Sequence, residues 1–83
     1  MDSDSDIARK AIFEILNNQL AEGNPPETGE TLARLLAAGH PEQEARRLIA
    51  CVIAREVFAV VQEGREFDTS KYVEALRALP TLP

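Results

Sequence analysis

Apolar residues recur at helical spacing in four blocks along this chain, and glycine or proline separates each block from the next. In the first block Ile7, Ala8, Ala11, Ile12, Ile15, Leu16 and Leu20 fall three or four residues apart, which lays one apolar stripe along a helix. Ser3 or Ser5 suits the cap, with Asp4 and Asp6 near the positive end of the helix dipole. The spacing predicts a helix over 5–22. Gly23 suits the left-handed position after a helix, and Asn24-Pro25-Pro26 cannot continue one, because each proline restricts the residue before it.

Pro26 suits the first turn of a second helix, expected over 26–38, whose apolar stripe is Leu32, Leu35 and Leu36. Gly39 stops it, and His40 and Pro41 then read as cap and first helical residue, with Gln43 at the capping-box position. The third helix, over 41–63, would be about 35 Å long at 1.5 Å per residue. From Leu48 to Val61 only Arg55 and Glu56 are polar, so this helix should be enclosed by the others as the core element. Gly64 ends it. Asp68 then caps a helix over 69–79, with Phe67 and Tyr72 at the two positions of a hydrophobic staple and Tyr72, Val73, Leu76 and Leu79 on its apolar face. With no alternating strand pattern, the expected fold class is all-α: one compact four-helix domain over 1–83 with a long central third helix, residues 1–4 disordered and 80–83 a tail.

Composition narrows the function. Forty-five per cent hydrophobic residues is too many for a disordered chain of 83 residues, and the longest apolar run, Leu48 to Ala54, is far short of the roughly 20 residues a membrane span needs. Met1 to Asp6 has neither a basic nor an apolar leader region, so the expected location is the cytoplasm, with no membrane partner. The net charge is −5, residues 1–30 hold seven acids against two bases, and no basic block offers a stripe for a phosphate backbone. Nucleic acid is therefore not an expected partner, and the apolar third helix has no polar face to present to a DNA groove.

Chemistry-bearing residues are sparse. Cys51 is the only cysteine, which excludes an internal disulfide or a two-thiolate metal site, and it lies among apolar neighbours far from the only imidazole. His40, the sole histidine, sits in the turn before the third helix, with Glu42 and Glu44 expected on the solvent face. No glycine-rich phosphate loop or Ser/His/Asp set appears, so no catalytic residue, cofactor or metal is assigned. One acid stands out: at 100° per residue, Ala45, Leu48, Ile49, Val52, Ala59 and Val60 lie within about 60° of Ala45, and Glu56 points into that face at about 20°. A buried carboxylate has to be paired, hydrogen-bonded or protonated. Its expected holder is a backbone amide, a hydroxyl or an arginine such as Arg34 or Arg55; the functional alternative is a ligand carboxylate or an acid with a raised pKa.

Residues from several segments carry a family likeness. Asn24-Pro25-Pro26-Glu27-Thr28, Thr31-Leu32, Gly39-His40, Ala45, Ile49, Glu56, Phe67-Asp68, Tyr72-Val73, Leu76 and Leu79-Pro80 resemble a recurrent short bacterial all-helical domain family of unknown function, over residues 10–80. Relatives often have Ser or another cap where this chain has Pro41, and Glu where it has Gly29. The likeness implies the helical fold and no activity, and it sharpens one expectation: that the segment from Asn24 to Thr31 folds against Glu56 and Tyr72, making Glu56, Thr31, Asn24 and Tyr72 a buried polar cluster. The expected function is a non-enzymatic protein-interaction or regulatory domain, homodimeric because the third helix offers more apolar circumference than three shorter helices cover. The alternatives are a small-ligand or metal-dependent protein with a site around Glu56, joined by His40 or a second subunit's copies, and a groove between helices one and four that receives a partner helix.

Overall fold

The computed structural model describes residues 3–82. Four helices follow one another, α1 (Ser3–Glu22), α2 (Pro26–Ala37), α3 (Glu42–Glu63) and α4 (Thr69–Ala78), and no strand occurs among the described residues. The expected all-α four-helix fold is what forms. α2 and α3 each pack against every other helix, while the backbones of α1 and α4 flank them without approaching each other closely among the described residues, and Tyr72 of α4 reaches Gln19 of α1 through its side chain. α3 is one unbroken rod of 22 residues. No helix among the described residues is long and apolar enough to cross a membrane.

Local chemistry sets the boundaries. Pro26 opens α2 and holds Pro25 extended at φ −73°, ψ 151°. α2 closes through Gly39, whose φ of 101° lies where side chains are strained; the His40 N–H then reaches back to the Leu35 carbonyl at 3.1 Å and the Gly39 N–H to Leu36 at 3.0 Å. His40 therefore belongs to the end of α2 and is not the cap of α3. That role falls one residue later, to Pro41, extended at ψ 149° with no side-chain cap bond, so Glu44 and not Gln43 is third in the helix. α1 is already helical at Ser3, so Ser5 is not its cap, and a cap before Ser3 lies outside the described residues. At α4 the Asp68 carboxylate accepts the Lys71 N–H at 3.1 Å, and the Phe67 and Tyr72 rings meet edge to face at 5.4 Å, the expected cap and staple.

The core is built from Leu16 of α1, Leu35 of α2, Leu48, Ile49, Val52 and Ile53 of α3, and Tyr72, Leu76 and Leu79 from α4 and its end. Two stripe assignments need correction. Leu36 is 41% exposed, and Thr28 and Thr31 fill the inner face of α2 instead. On α1 the residues Ile7, Ala8 and Ala11 are exposed, because only the second half of that helix is covered. α3 is likewise not enclosed all round. Its buried positions end at Glu56, Val60 is half-buried, and Phe58 and Val61 stand 63% and 73% exposed.

Candidate functional site

Glu56 is 7% exposed and faces inward as the helical wheel requires, but its partners come from the α3–α4 connection. Gly64 turns the chain at φ 62°, and Arg65 folds back so that its Nη1 donates to Glu56 Oε2 at 2.9 Å; the Asp68 backbone N–H donates to the same oxygen at 2.9 Å. Arg65 also donates through Nε to Glu63 at 2.6 Å and through Nη1 to the Glu66 carbonyl at 2.9 Å. The Arg65 guanidinium, above all, holds the Glu56 carboxyl below the usual carboxylate range, with the Asp68 N–H adding to it and burial opposing. Glu56 is thus a satisfied anion that straps the connection onto α3. It is not an acid with a raised pKa, and together with Arg55, Glu63, Arg65, Lys71 and Tyr72 it lines a cavity of about 280 Å³.

The expected polar cluster divides. Tyr72 belongs to a separate one: Tyr72 Oη donates to Gln19 Oε1 at 2.8 Å, Thr28 Oγ1 lies 3.0 Å from the phenol, and Thr28 also donates to Gln19 at 2.8 Å. Two hydroxyl protons serve three short contacts, so one contact lacks a hydrogen at any moment. Burial pushes the phenol up, so Tyr72 stays neutral across the ordinary pH range. The segment after α1 does meet Tyr72, through Thr28, and does not meet Glu56. Thr31 is buried on α2 with no hydrogen bond to Glu56 among the described residues, and Asn24 is exposed, its backbone N–H donating to the Gln19 carbonyl at 3.2 Å.

Neither arginine nominated for the buried acid reaches it. Arg34 spans from α2 to the end of α4, donating to the carbonyls of Leu79 and Leu76, both at 2.9 Å, where a cation suits the negative end of the helix. Arg55 is exposed and forms no ion pair among the described residues. Glu42 and Glu44 pair with Arg46 and Arg47 at 2.9 and 2.7 Å on the surface. His40 is half-buried, and no group of three or more His, Cys, Asp or Glu that could hold a metal ion occurs among the described residues.

The feature without a structural partner is the back of α3. Cys51, Ala54, Phe58 and Val61 lie about 140 to 160° from Glu56 at 100° per residue, on the side turned away from the core. Their spacing of three, four and three residues is that of a coiled-coil seam. Beside them Ala8, Ile12 and Phe13 of α1 and Ala50, Cys51 and Ala54 of α3 bound a groove of about 300 Å³ whose exposed lining is apolar, Arg9 and Arg47 contributing hydrocarbon stems. This is the side opposite the one that the wheel turned inward around Ala45 and Glu56.

The chain matches no family model, no curated protein and no solved structure.

Proposed function

We propose that this is a small non-enzymatic interaction domain that works as a self-associating helical unit in the cytoplasm, with the exposed back of α3 as its contact surface. The supporting observation is the second apolar face: a surface helix ordinarily turns polar residues outward, whereas α3 turns out Cys51, Ala54, Phe58 and Val61, with Phe58 and Val61 largely exposed. Covering a phenylalanine and a valine is worth about 1.5 to 3 kcal/mol each, a useful driving force for a domain whose 83 residues bury a modest core. The polar residues support the same reading. Glu56, Arg65, Tyr72, Thr28 and Gln19 are all engaged with one another or with the backbone, which leaves them structural duties. The likeness to the bacterial helical family fits the helical fold and brings no function to this chain.

Association makes stability depend on concentration, because a partner that binds only the folded state adds to the free energy of unfolding. The urea midpoint of the wild-type chain is expected to rise as its concentration goes from low micromolar to hundreds of micromolar. A midpoint that stays constant over that range refutes self-association.

A further inference from the structure

Val52, Glu56, Ala59 and Glu63 follow one another three or four residues apart along α3, Lys71 and Ala75 do the same along α4, and these two rows bound the cavity of about 280 Å³. The space exists because both helices carry alanine where they face it, at 59 and 75. Cys51, Ala54, Phe58 and Val61 do not line it, so it is independent of whatever covers the back of α3.

Glu56 does its structural work through one oxygen. The Arg65 guanidinium and the Asp68 N–H both bond Oε2, and Oε1 accepts no hydrogen bond among the described residues. No fully buried side-chain oxygen among those residues lacks a partner, so Oε1 meets solvent in a residue that is otherwise enclosed. It is an ionised acceptor held in place by its twin, on the wall of the cavity. The remaining charges there divide into two groups. Arg65 is shared between Glu56 and Glu63, two acids and one base, which leaves −1; Arg55 and Lys71 are exposed, form no ion pair among the described residues, and contribute +2. The lining is thus positive by one charge in a chain whose net charge is −5.

We propose that this cavity between α3 and α4 binds a free acidic amino acid, with the ammonium group on Glu56 Oε1 and the two carboxylates on Arg55 and Lys71. One ammonium and two carboxylates answer the −1 and the +2 group by group, and the ligand's net charge of −1 answers the +1 of the lining as a whole. Val52, Ala59 and Ala75 give its methylene groups an apolar wall. The size agrees: about 280 Å³ lies at the small end of ligand sites, where an amino acid fits and a nucleotide does not. Tyr72, the one ring on the wall, is already packed against Phe67 and offers no platform for a base.

The test is a titration of the full chain with L-glutamate and L-aspartate at constant pH and ionic strength, followed through backbone amide chemical shifts. Saturable binding of at least one of the two is expected, with the largest shifts around Glu56, Arg65 and Lys71; shifts that fail to saturate through tens of millimolar overturn the proposal. Removing the ammonium, as in N-acetyl-L-glutamate, or one carboxylate, as in L-glutamine, is expected to weaken binding by at least about tenfold, the loss of one hydrogen bond between charged groups. Inorganic phosphate that binds as well as the amino acid would reduce the site to a pair of cations attracting any anion, and would overturn the assignment. Lys71→Met, at an exposed position that leaves the helix intact, is expected to weaken L-glutamate by about tenfold. Ala59→Leu, which fills the cavity and keeps every charge, is expected to abolish binding, with circular dichroism to verify the fold. Wild-type affinity in Lys71→Met, or in folded Ala59→Leu, overturns the site.

Discussion

The two faces of α3 are made from the same kinds of residue and end in opposite situations. Inward, Leu48, Ile49, Val52 and Ile53 meet Leu16, Leu35, Tyr72 and Leu76 and are closed off from water; outward, Cys51 and Ala54 are half-buried beside α1 and Leu82, and Phe58 and Val61 stand largely exposed. The inner face even tolerates a carboxylate, because the Gly64 turn delivers Arg65 and the Asp68 N–H to it. Apolar residues on a helix are therefore not by themselves evidence of a core. What decides is whether the connections bring other helices to that side, and the short links of this chain serve one side only.

The comparison can be broken most forcefully from within. Ile53→Ala, at a fully buried position, is expected to cost about 2 to 5 kcal/mol in urea denaturation, from lost transfer energy and a residual cavity. Next comes the strap at Glu56. Glu56→Leu leaves the Asp68 N–H without its acceptor and takes one of three acceptors from the Arg65 guanidinium, a loss of about 1 to 3 kcal/mol. Because the folded carboxyl titrates below its unfolded value of about 4.3, the unfolded chain binds the extra proton in that interval; the Glu56 contribution is complete above that pH and disappears as the pH falls through the folded value. Acid titrations of unfolding free energy should thus be flatter for Glu56→Gln than for wild type, and identical slopes would remove the strap from the account. Tyr72→Phe, which leaves the Thr28–Gln19 bond in place, is expected to cost about 1 kcal/mol in the same assay. The smallest effect on the folded monomer belongs to the outer face: Phe58→Ser, measured at concentrations dilute enough to dissociate any dimer, should stay within about 0.5 kcal/mol of wild type. A loss matching that of Ile53→Ala would make Phe58 a core residue and erase the difference between the faces.

How much of this was legible in the sequence follows from which interactions are local. Helix ends marked by Gly23, Gly39, Gly64 and the proline pair, and the Asp68 cap with its Phe67–Tyr72 staple, depend on residues a few positions apart and read directly. The inward angle of Glu56 also followed from helical geometry. Its partner did not: Arg65 lies nine residues on, past a turn whose course depends on the left-handed Gly64, so periodicity favoured the helical arginines Arg34 and Arg55 instead. Arg34 instead donates to carbonyls at the end of α4, 42 and 45 residues further along the chain. The Thr28–Tyr72 contact spans 44 residues and exists only once α2 and α4 are packed, and Gln19 gave no local signal at all. Pro41 shifted the start of α3 by one residue because a proline serves as well just outside a helix as at its first position.

The central claim, that the outer face of α3 is covered by a second copy, is tested most directly by sedimentation equilibrium of wild type and Phe58→Asp at low micromolar concentration, with circular dichroism to verify that both are folded. The expected result is a wild-type mass of twice the 9.1 kDa chain and a Phe58→Asp mass equal to one chain. A folded wild-type chain that sediments at 9.1 kDa throughout would contradict it.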